Sequence, residues 1–330
     1  MTTVAVDAGG ADAGPREVAA GAIDAARQGI KVKLFGSAEE IGPVGEGIEV
    51  IDAPVSIAKV ADPVAAVREQ PDASIVQAAR SVASGEADAL VSGGSTGAVL
   101  AAGVLHIRRQ RGVHRPALAI LVPIPGAPVL LLDVGASSES RPERLVQHAH
   151  IGAAFSEVVL GIERPRVALL SNGEEASRGT PEVIAAHQIL SAGTGIDFVG
   201  NVEGLGIATG EADVVVTDGF TGNVALKLME GVSSAVIGAV RAAAASDARA
   251  AAGALLMKPA LSGLRDQLDP EQHGGAYLLG LRSVVIVPHG RFGRRGIAKA
   301  IELAASASDA DVAGRTHSAL EAAGALRSSE

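Results

Sequence analysis

Short runs of β-branched and aliphatic residues alternate along the chain with Ala-rich stretches whose apolar positions recur at helical spacing. This alternation predicts a largely parallel sheet covered by helices. The residues just after each apolar run are more informative than the runs themselves. Residues 4–6 lead into Asp7-Ala8-Gly9-Gly10, residues 90–91 into Ser92-Gly93-Gly94-Ser95-Thr96-Gly97, and residues 130–132 into Asp133-Val134-Gly135-Ala136-Ser137. Residues 167–170 run into Ser171-Asn172-Gly173-Glu174-Glu175, 214–216 into Thr217-Asp218-Gly219-Phe220-Thr221-Gly222-Asn223, and 284–287 into Pro288-His289-Gly290. Ligands of open α/β sheets bind at the carboxyl ends of the strands, so six loops of glycine and small polar residues are expected to converge on one crevice. Any one of them alone also reads as an ordinary turn.

A helix is expected from Thr96 to about Arg111. Met229, Val232, Val236 and Val240 mark an amphipathic helix, followed by an Ala-rich segment and then Leu255-Leu256-Met257-Lys258-Pro259-Ala260-Leu261. Residues 224–268 are therefore expected to form a projecting helical hairpin. It packs on its own domain or a second subunit, or its apolar tip dips into a membrane surface. The apolar stretch 118–134 is broken by Pro123, Pro125, Gly126 and Pro128, which suits two buried strands joined by a turn better than a spanning helix.

Composition narrows the chemistry. The 330 residues carry a net charge of −9 and only 2% aromatics, so phosphate backbones are repelled and base-stacking platforms are scarce; no nucleic-acid partner is expected. There is no cysteine, which excludes disulfides, cysteine-ligated metals and a cysteine-bound acyl intermediate. The start of the sequence shows no basic segment ahead of an apolar one, and a cytoplasmic location is expected. Neither a Walker A sequence nor G-x-G-x-x-G occurs, and His148 and His150, two apart on a helix, face different ways, so no nucleotide cofactor and no metal is expected.

The Ser92–Gly97 loop, set between a strand and a helix start, suits an anion such as phosphate, or is a plain Gly-rich cap. Its Gly93-x-Ser95-x-Gly97 spacing also fits a hydrolase nucleophile elbow, with Asp218 and His289 following in triad order. His289 is a candidate base or phosphate donor, or merely a loop residue. Arg178 and the cluster Arg291, Arg294 and Arg295 are solvated surface cations, or hold phosphate or an acidic carrier protein.

Taken together, residues 4–10, 85–92 with Thr96-Gly97, Arg115-Pro116-Ala117-Leu118, 131–136, 161–167, 200–204, Asp218-Gly219-Phe220-Thr221-Gly222-Asn223 and 274–280 resemble, in order, the motifs of the bacterial phosphate acyltransferase family PlsX. The resemblance spans roughly residues 3–305. It implies a three-layer α/β/α fold of the isocitrate dehydrogenase and phosphotransacetylase type in one catalytic domain over 1–330, a homodimer, and no cofactor. The implied reaction joins inorganic phosphate to the acyl group of an acyl-[acyl carrier protein], feeding phospholipid synthesis, with Leu255, Leu256, Met257 and Leu261 touching the inner face of the cell membrane peripherally. Alternatives are a phosphotransacylase using another thioester such as acyl-CoA, and a weakened paralogue serving as a scaffold. Carried onto this chain, the resemblance assigns catalysis to His289, Asn223 and Arg178. Substrate and phosphate contacts go to Asp7, Gly94, Ser95, Thr96, Gly97, Asp133, Ser137 and Asp218. The chain departs from the family at Ala13, Ser95, Ser137 and Arg178.

Overall fold

The computed structural model describes residues 1–124, 128–137, 139–193 and 195–326, with the main chain alone at 259–268 and 270. Its strands are β1 (Thr3–Asp7), β2 (Lys31–Gly36), β3 (Ile48–Asp52), β4 (Ala89–Ser92), β5 (Ala117–Val122), β6 (Val129–Leu132), β7 (Arg166–Leu170), β8 (Asp197–Val202), β9 (Val214–Val216), β10 (Ala276–Leu279) and β11 (Val284–Val287). They form one sheet in the order β3-β2-β1-β4-β11-β10-β5-β6-β9-β7-β8.

Alternation along these strands builds two apolar layers. Val4, Val6, Leu130, Leu132, Val214, Val216 and Ile286 enter one buried cluster, and Ala5, Leu90, Leu131, Val215 and Val285 enter the other. Side chains of successive strand residues point to opposite faces, so a run apolar at every position is buried on both. Helices Pro15–Ala26, Pro142–Phe155 and Arg294–Asp309 supply partners to the first cluster, and Ser74–Ala83 and Thr96–Ala102 to the second. With aromatics scarce, alanine and glycine let the layers approach closely: a Cβ on Gly152 would stand 2.5 Å from Val214 Cγ1.

The direction of the strands overturns one expectation. Pairing is parallel from β3 through β2, β1 and β4 to β11, and again from β6 through β9 and β7 to β8. Between these blocks the steps β11-β10, β10-β5 and β5-β6 are all antiparallel. Three reversals leave the second block pointing opposite to the first. The loops after β1, β4 and β11 therefore lie at one end of the sheet and those after β6, β7 and β9 at the other; within one chain the six loops do not converge. Short connections between β10 and β11 and between β5 and β6 permit only antiparallel neighbours.

The helix expected to run from Thr96 to Arg111 is shorter. It is regular to Ala102, then widens so that Arg108 N–H donates to the Gly103 carbonyl at 2.8 Å, five residues back, and ends there with Arg108 at φ 73°. Gly103 permits this because Leu281 packs where a Cβ would stand, 2.8 Å from its Cδ1. The hairpin is present, as helices Gly219–Ala244 and Ala248–Leu268, each capped by an aspartate, Asp218 and Asp247. The first helix spans about 39 Å at 1.5 Å per residue. Phe220, Val224, Leu228, Val232, Val236 and Val240 are exposed along it. It is long and apolar enough to cross a membrane, by length and composition.

Candidate active site

At the end of the sheet where β1, β4 and β11 finish, Asp7 is buried beside Ser92, its partner in the parallel ladder. Ser74 Oγ donates to Asp7 Oδ1 at 2.6 Å and Ser92 Oγ to Oδ2 at 2.7 Å, while Gly9 N–H donates to Oδ1 at 3.1 Å. Burial pushes this carboxyl above its ordinary value, partly offset by those three donors. The Ser92 hydroxyl oxygen also accepts from Gly94 N–H at 3.2 Å, so the carboxylate organises both loops. A Cβ on Gly10 would meet Asp7 Oδ2 at 2.6 Å and Gly94 N at 2.8 Å, which is why glycine stands there. Gly94 and Gly97 flank Ser95, whose hydroxyl oxygen accepts from Ala98 N–H at 3.4 Å as a helix cap. The Thr96 hydroxyl has no partner among the described residues.

His289 is exposed at the same end, reached through Asp12 N–H, which donates to the Gly290 carbonyl at 2.9 Å. Its Nδ1 accepts from Arg291 N–H at 3.2 Å. A backbone N–H can only donate, so the neutral ring carries its proton on Nε2, which is left as an outward donor. Arg294, by contrast, is held in a two-point contact with Asp24, and Arg295 faces Asp269 at 3.8 Å. These two arginines are surface partners of carboxylates, and the anion reading of that cluster falls away for them.

At the opposite end, Asp133 is fully buried. Its Oδ1 accepts from Leu118, Gly135 and Ala136 N–H at 3.0, 3.1 and 2.8 Å, and its Oδ2 from Ser137 Oγ at 2.8 Å. The turn so formed lies against the start of helix Gly219–Ala244. A Cβ on Gly219 would stand 2.1 Å from the Ser137 carbonyl oxygen, and one on Gly222 2.0 Å from that of Asp133. Both glycines of the Asp218–Asn223 motif are thus required by backbone contact. Asp218 caps that helix, accepting from Phe220 and Thr221 N–H at 3.0 and 2.9 Å. Asn223, one turn in, projects over Gly135, whose added Cβ would lie 3.1 Å from its Nδ2. The Asn223 amide has no hydrogen-bond partner among the described residues. Arg115 Nη2 donates to the Ala136 carbonyl at 3.4 Å beside it.

Arg178 sits in the loop after β7 with its Nε 3.4 Å from Glu175 Oε2, both side chains largely exposed. An exposed pair of this kind is worth about 0–1 kcal/mol, so the guanidinium exchanges partners readily. The loop itself is anchored. One extra residue between Phe198 and Gly200 opposite Val167-Ala168 bulges β8. Beyond the bulge, the Asn201 amide donates to the Glu175 carbonyl at 3.0 Å and accepts from His187 Nδ1 at 3.0 Å.

The assignments from sequence separate accordingly. Asp7, Asp133, Asp218 and Ser137 hold loops: both oxygens of Asp7 and of Asp133, one oxygen of Asp218 and the Ser137 hydroxyl are engaged in hydrogen bonds there. Thr96, Asn223, His289 and Arg178 present free or exchangeable donors. Within one chain a Ser95-His289-Asp218 triad is excluded, since Asp218 lies at the other end of the sheet, and Ser95 has ordinary extended backbone at φ −60° rather than the strained turn of a nucleophile elbow. Ser74, Ser92, Gly219, Gly222 and Asn201 were missed as site organisers. Ser92, which opens the Gly-rich loop after residues 90–91, and the glycines of the Asp218–Asn223 motif carried a local signal. The side chain of Leu261 lies outside the described residues; Leu255, Leu256 and Met257 are exposed on the second hairpin helix.

A family model described as fatty acid synthesis protein matches residues 2–315. The chain is 42% identical over 310 residues to the phosphate acyltransferase of Heliobacterium modesticaldum, covering 91% of this chain and 92% of that one. It is 40% identical over 319 residues to the phosphate acyltransferase of Lactococcus lactis subsp. cremoris, covering 94% and 96%. Among solved structures, a phosphotransacetylase from Streptococcus pyogenes superposes with a TM-score of 0.61 at 17% identity, covering 97% of this chain and 94% of that one. A branched-chain phosphotransacylase from Enterococcus faecalis gives 0.59 at 17% identity, covering 96% and 99%. These two likenesses establish the fold, a three-layer α/β/α arrangement of the phosphotransacylase type.

Proposed function

The chain belongs to the phosphate acyltransferase family and is an acyltransferase, and from that premise we propose that it moves the acyl group of an acyl-[acyl carrier protein] onto inorganic phosphate. The product, an acyl phosphate, feeds phospholipid synthesis. The observation that carries this reading is identity of about two residues in five with phosphate acyltransferases across nine-tenths of the chain.

In the proposed step a phosphate oxygen attacks the thioester carbonyl carbon. The new C–O bond forms, the C–S bond breaks, and the proton of hydrogen phosphate passes to the departing thiolate. No protein nucleophile is needed, in keeping with a chain that has no cysteine. Donors aimed at the developing oxyanion are worth about 3–4 kcal/mol each when preorganised, and the Asn223 amide, without a partner among the described residues, is our candidate. Arg178 offers charge to phosphate, while Thr96 and the Nε2–H of His289 are candidates for phosphate or leaving-group contact.

These candidates lie at opposite ends of one sheet, so we propose that the working form is a homodimer in which one copy's Gly94–Gly97 loop and His289 meet its partner's Asn223 and Arg178. A two-fold axis places the same patch on both subunits and makes two such sites. The exposed stripe from Phe220 to Val240 is apolar surface that such an assembly can cover. Equal mixing of His289→Ala and Arg178→Ala chains, each inactive alone, is then expected to restore about a quarter of parental activity, because half the dimers are mixed and each has one intact site. No recovery would place both residues in one chain's site. We further propose that the exposed Leu255, Leu256 and Met257 of the second hairpin helix touch the cytoplasmic face of the membrane.

The direct test is acyl phosphate formation from labelled phosphate and either acyl-carrier or acyl-CoA. No acyl phosphate from either donor refutes the reading, and turnover with acyl-CoA alone moves the donor.

A further inference from the structure

Against a net charge of −9, four arginines fall within eight positions, at 108, 109, 111 and 115. The widened end of the Thr96 helix delivers this segment to the turn between β10 and β11. There Arg109 faces Leu281 as an antiparallel bridge, with Arg282 N–H donating to the Arg108 carbonyl at 3.1 Å and Gln110 N–H to the Gly280 carbonyl at 2.9 Å. Arg108 and Arg282 are therefore direct cross-strand neighbours. Both are exposed, and among the described residues no carboxylate lies within ion-pair distance of either.

Two features of this pair disfavour it in the isolated chain. Like charges directly opposite one another across a ladder repel. Arg108 also holds φ 73° and ψ 154°, backbone that glycine adopts and other residues enter at appreciable cost. The segment is nevertheless fixed. The Arg109 guanidinium donates to the Val113 carbonyl at 3.2 Å and to that of His114, and His317 Nε2 lies 3.0 Å from the Arg111 carbonyl. Strained residues pinned by their surroundings cluster where a ligand is gripped, and two adjacent unpaired guanidinium groups fit carboxylates.

Location gives the partner. Leu279 pairs with Ala117 in the ladder, and the N–H of the next residue, Leu118, binds Asp133. By strand rise and spacing, the Arg282 backbone is about 15 Å from the Asp133 turn, at the end of the sheet that holds Asn223 and Arg178.

We propose that Arg108 and Arg282 form the docking point for the carboxylate-bearing surface of the acyl carrier protein. The proposal rests on the carrier reading of the function. It also replaces the Arg294-Arg295 cluster, whose charges are already paired.

The test is an Arg108→Gly/Arg282→Gln double variant, since glycine accepts the backbone at position 108 without strain. Carrier-protein binding is measured by titration calorimetry at low and high salt, and turnover with acyl-carrier and with uncharged acyl-pantetheine. The expected result is carrier binding weakened about tenfold at low salt, converging with the parent at high salt. KM for acyl-carrier should rise in parallel, with kcat/KM for acyl-pantetheine and the melting temperature retained. Carrier binding within twofold of the parent overturns the proposal, as does an equal loss with both donors. So does a loss of binding to anionic vesicles with carrier binding intact. If the parent binds carrier through these arginines yet forms no acyl phosphate, docking stands and the proposed reaction fails; if turnover proceeds and the variant is indifferent, docking alone fails.

Discussion

Replacing Gly222 by alanine tests the contact on which the Asn223 site depends. The new methyl carbon would stand 2.0 Å from the Asp133 carbonyl oxygen and 3.0 Å from its carbon. An ordinary C···O contact is about 3.3 Å or more, so helix and turn must part by roughly 1 Å. Neither side yields easily, because the Asp133 turn is held by three backbone donors and the Ser137 hydroxyl. Overpacking of this kind costs about 1–3 kcal/mol, a fall of a few degrees in melting temperature for a chain of this size. The effect on catalysis should be larger, since a displacement of about 1 Å at a reacting centre costs on the order of a hundredfold. Gly231, in the same helix with nothing within 4 Å of an added Cβ, is the matched control. There alanine should stabilise the helix by up to about 1 kcal/mol. Acyl phosphate formation, followed by hydroxylamine trapping, and thermal melting are compared for the two variants. If Gly222→Ala keeps activity within threefold of the parent while Gly231→Ala is active and no less stable than the parent, the Asp133 turn is not what positions Asn223.

Asn223→Ala should lower kcat by about a hundredfold with a melting temperature within about 1 °C of the parent, because the amide makes no hydrogen bond among the described residues; steady-state kinetics and calorimetry check both halves. Asp7→Asn should change the pH dependence of stability. Burial raises the folded carboxyl above its unfolded value of 3.8, so the folded state binds the proton more tightly, and stability falls as pH rises from the ordinary carboxylate range through the raised folded value. The variant should lose that slope, and parallel melting curves for the two proteins across the window would refute the assignment. Leu255→Asp/Leu256→Asp should abolish flotation with anionic vesicles while leaving turnover of soluble donor unchanged, and retained flotation would remove this face of the second hairpin helix from the membrane.

The loops that bear the site were legible as loops because glycine and small polar residues after β-branched runs are a local signal. Their division between two ends of the sheet was not. It follows from the insertion of β10 and β5 between the parallel blocks, a pairing of residues more than 100 positions apart. That Asp7 and Asp133 hold the loops was illegible for a related reason. A carboxylate beside glycine looks the same in sequence whether it faces solvent or, as here, lies buried among Ser74, Ser92 or a ring of backbone N–H groups.

The sequence by itself determined the alternation of strand and helix, the two-sided burial of the strands, the hairpin, the absence of a cysteine route and the family, because each is written in nearest-neighbour chemistry or in ordered motifs. The tertiary structure alone decided which polar groups remain free. Among the described residues Asn223, Thr96 and His289 keep donors without partners, while the carboxyl oxygens of Asp7, Asp133 and Asp218 accept from the loops, Ser137 donates to Asp133, and Arg108 is set against Arg282. Hydrogen-bond satisfaction depends on which groups meet across the fold, and that is fixed by strand order and close glycine contacts rather than by any local run of residues.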